Sequence, residues 1–140
     1  MKDIGIWIDK DNACIVILEK GKETIVWVPS NIEHYRIHGG SGTRLKGGPQ
    51  DVVQDSRYLE REKHQLKNFF KEIIALVKDA DALAIFGPAG TNEKFKKELA
   101  THYKYLDQKV VIVRKEDSMT DNQMKALVRD FYTAERASKK

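Results

Sequence analysis

Three short apolar runs separated by tight turns open this chain, and nothing else in it limits the fold as much. Ile4, Ile6 and Ile8 alternate with Gly5 and Trp7, the period of two expected of a strand. Asp9-Lys10-Asp11-Asn12 supplies turn chemistry, and Ala13 to Leu18 follows as a continuous apolar run. Lys20-Gly21-Lys22 turns the chain again before Thr24 to Val28, rich in β-branched and aromatic residues, and Pro29 ends that run. Strands joined this closely must be antiparallel, because parallel neighbours need a crossover of about a dozen residues or more.

Further along, the spacing becomes helical. A helix is expected from Asp55 or Ser56, with Leu59, Leu66, Phe69, Phe70, Ile73, Ile74 and Val77 on one face. Ala82 to Phe86 reads as a short buried strand, closed by the turn Gly87-Pro88-Ala89-Gly90. A second helix is expected near Thr91 or Asn92, with Phe95 and Leu99 inward, and Lys109 to Val113 is the last strand. Thr120 and Gln123 have the spacing of a capping box. The helix they would start carries Met124, Leu127, Val128, Phe131 and Tyr132 on its inner face, and Glu135 to Lys140 should fray.

The order β-β-β-α-β-α-β-α predicts an α/β fold with a mixed sheet of ribonuclease-H-like type and helices on the sheet faces. Residues 1–140 are expected to form a single domain, for no internal repeat or compositional break divides the 140 residues. Residues 30–54 lack a sustained period: either the hairpin order extends into them, with a little strand at Tyr35-Arg36-Ile37, or, as expected here, they form a mobile loop. Trp7 and Trp27 are expected in the core.

Cys14 is the sole cysteine, which excludes an internal disulfide and a cysteine-based metal cluster. Its apolar neighbours predict an inert, buried thiol. Met1-Lys2-Asp3-Ile4 has no secretory pattern, and no run reaches the ~18 apolar residues of a membrane span. A cytoplasmic protein without a membrane partner is therefore expected. The net charge of +4 permits a polyanionic partner without requiring one.

The charge has one conspicuous concentration. From His34 to Gln50 the chain carries Arg36, Arg44 and Lys46, two histidines and no carboxylate, and five of its nine glycines fall between Gly39 and Gly48. Glycines expose backbone amides and allow close approach to a phosphate or sugar, while the cations supply salt-dependent attraction to nucleic acid. A solvated surface linker would have the same composition. It is not a phosphate-binding P-loop, because no Gly-Lys-Ser/Thr follows the glycines.

Other chemistry finds less support. A nuclease of this element order would cluster carboxylates about divalent metals. Asp9 and Glu60 or Glu62 are available for that, but the fourth strand ends in Phe86-Gly87-Pro88 with no acid. His34, His38, His64 and His102 have no metal-ligand spacing, and Ser41, Ser56 and Ser118 no hydrolase elbow. Gly87 to Gly90 reads as a packing turn in preference to an anion site. No cofactor and no metal is expected.

The segment Asp55-Ser56-Arg57-Tyr58-Leu59-Glu60-Arg61-Glu62-Lys63-His64, continuing through Phe69, Phe70 and Ile73, resembles the long helix after the catalytic loop in the middle domain of archaeal and eukaryotic class I peptide release factors. The block from Asp81 to Gly90, with Lys94, Phe95 and Leu99, is similar to the strand, turn and helix that follow there. The resemblance runs from about Arg36 onward and is nearest to bacterial stand-alone relatives of that domain. It implies a translational component associated with the ribosome or tRNA, with Arg36, Arg44, Lys46 and Arg57 on RNA.

In release factors a Gly-Gly-Gln loop sets its glutamine against the peptidyl-tRNA ester. The corresponding stretch here is Lys46-Gly47-Gly48-Pro49-Gln50, so the resemblance points to Gly47, Gly48 and Gln50 as the hydrolytic residues. Pro49 interrupts the motif and brings no amide hydrogen. Pelota-like relatives keep the domain without the motif and do not hydrolyse. A reading of another class is a non-catalytic interaction domain that keeps the fold and forms a homo-oligomer through a sheet edge or an aromatic surface.

Overall fold

The computed structural model describes residues 2–31 and 48–138, those at 48–59 and 138 by backbone alone. Strands β1 (Lys2–Ile8), β2 (Asn12–Glu19) and β3 (Lys22–Pro29) form the expected meander. They lead to α1 (Gly48–Val77), β4 (Ala82–Gly87), α2 (Thr91–His102), the short α3 (Lys104–Asp107), β5 (Val110–Lys115) and α4 (Asp121–Ser138). The sheet order is β3-β2-β1-β4-β5. β1 is antiparallel to β2 and parallel to β4, and β4 is parallel to β5. This is the mixed α/β sheet that the element order predicts, and its strand order is consistent with the ribonuclease-H-like type.

The alternation in β1 divides the molecule into two layers. Ile4, Ile6 and Ile8 join Phe69, Phe70, Ile73 and Val77 of α1 and Phe95 and Leu99 of α2 in one apolar cluster. Trp7, Cys14 and Val16 join Phe86 and the α4 residues Met124, Val128 and Tyr132 in the other. Each large side chain so buried contributes roughly 1.5–3 kcal/mol. Gly5 lets α4 pack close against β1, since a Cβ there would lie 2.3 Å from Cγ2 of Val128.

Three expectations are corrected. Helix α1 starts at Gly48, not at Asp55 or Ser56, so residues 48–54 are helical, and of the expected loop residues 32–47 lie outside the described residues. Pro49 suits this first turn, where the missing N–H would have had no intrahelical partner. Helix α4 continues to Ser138 where a tail was expected from Glu135, and Arg136 in that extension pairs with Asp3 of β1. Trp7 is buried at 4% exposure, but Trp27 is 40% exposed on the edge strand β3 and donates its Nε1–H to Oδ1 of Asp121 at 3.0 Å.

Candidate functional site

Arg36, Arg44, Lys46 and Gly47, with His34, His38 and the strand expected at 35–37, lie outside the described residues. Gly48 and Gln50 are in the first turn of α1, and Arg57 stands in the same helix about two and a half turns on. The first four amides of a helix lack intrahelical acceptors. Pro49 supplies none, so in the first turn of α1 the N–H groups of Gly48, Gln50 and Asp51 are the ones without intrahelical acceptors.

Among the residues whose side chains are described, Leu66 is the first of α1 that packs against the core containing Phe69 and Phe70. Eighteen residues of helix precede it, from Gly48 to Gln65, a length of about 27 Å at 1.5 Å per residue. The basic glycine segment therefore leads into a long helix whose far half is anchored in the core.

That anchored half borders a groove along the seam between α1 and α2. Its wider part, of about 430 Å³, is lined by residues including Lys63, Leu66, Phe70, Lys94, Lys97 and His102. An adjoining pocket of about 180 Å³ is lined by Lys10 of the β1–β2 turn and by Gly90 and Thr91 at the start of α2, and shares Leu66 and Lys94 with the first. Four lysines thus face two carboxylates, Glu62 and Glu98, over an apolar floor. Among the described residues none of those four lysines is ion-paired, whereas Lys96, between Lys94 and Lys97 in sequence, meets Asp107 at 2.7 Å. The i, i+3 spacing of Lys94 and Lys97 was legible in the sequence, but the packing of α2 beside α1 was not.

A second groove, of about 530 Å³, lies between the β2–β3 turn and α4. Its charges are mixed, and Arg129 there is bound to Glu23 at 2.8 Å.

The remaining chemical candidates are occupied structurally. Oδ1 of Asp9 accepts the amides of Asp11 and Asn12 at 2.8 and 2.9 Å, which fixes the β1–β2 turn. Gly87 has φ +140°, and a Cβ on it would lie 2.1 Å from the carbonyl oxygen of Ile8. The turn it opens is a packing turn. Burial, reinforced by the charge of Asp121, pushes the Cys14 thiol up to about 12, so it stays protonated and unreactive. Among the described residues no three His, Cys, Asp or Glu side chains are grouped to hold a metal, and no helix is long and apolar enough to cross a membrane.

The sequence matches no protein-family model and no curated protein. The fold is another matter. The chain superposes over 98% of its length on the Pelota protein of Archaeoglobus fulgidus, with a TM-score of 0.53 and 14% identity. It superposes over 99% on the archaeal translation termination factor aRF1, with a TM-score of 0.56 and 11% identity. It spans 36% and 40% of those two proteins. At such identities the likeness is one of fold.

Proposed function

We propose that this chain is a translation-associated module of the release-factor middle-domain type, which binds the ribosome or tRNA through its basic glycine segment. The observation that carries this reading is the combination of a termination-factor fold over 98–99% of the chain with a cationic, glycine-rich stretch leading straight into α1. Fold alone does not assign function; the segment supplies the chemistry. In this reading Arg36, Arg44, Lys46 and Arg57 meet RNA phosphates, and the first-turn amides of α1 can meet a phosphate as well.

Co-sedimentation with ribosomes and binding to deacylated tRNA test the reading. The wild type should bind at low salt and release as salt rises, and Arg36, Arg44 and Lys46 replaced together by alanine should weaken binding strongly. Binding that is absent, or indifferent to salt and to these replacements, would refute it.

Hydrolysis is the sharper form, with Gly47, Gly48 and Gln50 placing water at the ester. Peptide release from loaded ribosomes by the wild type, lost in Gln50→Ala, is the result it requires. Without release, the module binds and leaves the ester intact.

The assembly reading has an observation of its own. Both edge strands expose apolar side chains, Trp27 on β3 and Val111 and Val113 on β5. A solution mass of twice the monomer, lost in Val113→Lys, would favour it.

A further inference from the structure

We infer that the seam between α1 and α2 is a second RNA-backbone contact, separate from the glycine segment and held by Lys63, Lys94 and Lys97 with Lys10 at its end. The inference rests on the translation-module reading and adds to it a surface formed by described residues of α1, α2 and the β1–β2 turn.

Three observations carry it. The cations converge from three elements: the β1–β2 turn gives Lys10, α1 gives Lys63, and α2 gives Lys94 and Lys97. They are not neutralised, for no ion pair holds them among the described residues, although Lys96 of the same helix is paired. Their two pockets adjoin, with Leu66 and Lys94 common to both, and together they follow α2, whose 12 residues span about 18 Å.

A surface of that length passes several successive phosphates, whereas a small anion would need one. The floor residues Leu66 and Phe70 carry no hydrogen-bonding side-chain groups, and the lysines that flank them meet phosphates, which positions RNA on this face. An acidic protein is disfavoured on the same grounds: Glu62 and Glu98 break the positive field at intervals, which a flexible phosphate chain can step around.

The test uses the full chain and fluorescently labelled deacylated tRNA, with affinity measured across a salt series. Replacing Lys63, Lys94 and Lys97 by glutamine should lower the slope of log affinity against log salt by about 2 to 3 and weaken binding roughly a hundredfold at 0.1 M salt. The same three positions as arginine should keep the slope. A control with equal charge loss, Lys20, Lys22 and Lys125 to glutamine, lies at the β2–β3 turn and on α4 and should lose much less. An unchanged thermal midpoint shows that each variant is folded.

If tRNA binds but the groove and control variants lose the same amount, net charge alone is acting and the inference fails while the module reading stands. It also fails if the groove variants weaken binding to poly-glutamate but not to tRNA. If wild type binds no tRNA at any salt, the module reading and this inference fall together.

Discussion

The hydroxyl of Tyr132 donates a hydrogen bond to the carbonyl oxygen of Ile4 at 2.8 Å, joining the last helix to the first strand across 128 positions of sequence. The bond is buried, and the Tyr132 ring is 3% exposed in the α4 layer. Tyr132→Phe keeps the ring and removes the donor. It should cost about 1 kcal/mol and lower Tm by roughly 3–4 °C. Thermal unfolding of the two proteins decides it; an unchanged midpoint would mean the bond contributes nothing net.

Gly87 and Gly90 offer a comparison within one turn. Both have positive φ, +140° and +114°, but a Cβ at Gly87 meets the Ile8 carbonyl at 2.1 Å while nothing lies within 4 Å of one at Gly90. Gly90→Ala bears backbone strain alone, about 1–2 kcal/mol. Gly87→Ala adds a backbone clash and should cost more than about 4 kcal/mol, enough to threaten soluble expression. Equal midpoints for the two variants would contradict this account of the turn.

How far these features could be read in advance depends on which force sets them. The meander, the inward face of α4 and the Thr120–Gln123 capping box are local, and the box closes in both directions at 2.8 and 3.2 Å. The start of α1 escaped because Gly48 and Pro49 look like loop residues, and helical backbone there needs no apolar stripe. The exposure of Trp27 is not legible in its strand pattern, because its burial depends on how far α4 reaches over an edge strand. The lysine groove was invisible for the same reason: helix packing places Lys63 beside Lys94, and no spacing within either helix encodes that.

Alkaline pH should destabilise the fold through Cys14. Its folded-state thiol lies at about 12 against an ordinary 9.0. Below pH 9 both states hold the proton and stability is unaffected. Above it the unfolded chain loses the proton first, so stability falls as pH rises from about 9 to about 12. The slope approaches about 1.4 kcal/mol per pH unit at most. Burial also raises Tyr132 above the ordinary phenol range, which extends the decline above pH 10 in the same direction. Urea unfolding at pH 8, 9.5 and 10.5 should show the fall, and Cys14→Ala should flatten it between the first two.

Asp3 supplies the last prediction, because its pairing is lopsided. The residue is 3% exposed; one carboxylate oxygen is paired with Arg136, while Oδ1 is buried without a hydrogen-bond partner among the described residues. Arg136 is half-exposed and also lies over the Tyr132 ring at 6.0 Å. Removing the guanidinium leaves a buried carboxylate with neither charge compensated nor oxygen satisfied. Breaking a fully buried pair costs about 3–5 kcal/mol; with one partner half in water, Arg136→Ala should cost about 2 kcal/mol. Asp3→Asn in the same chain removes the stranded charge, so the double variant should be more stable than Arg136→Ala alone. Chemical denaturation of the wild type, both single variants and the double variant closes the cycle. A double variant less stable than Arg136→Ala would show that the carboxylate, and not its partner, holds α4 against β1.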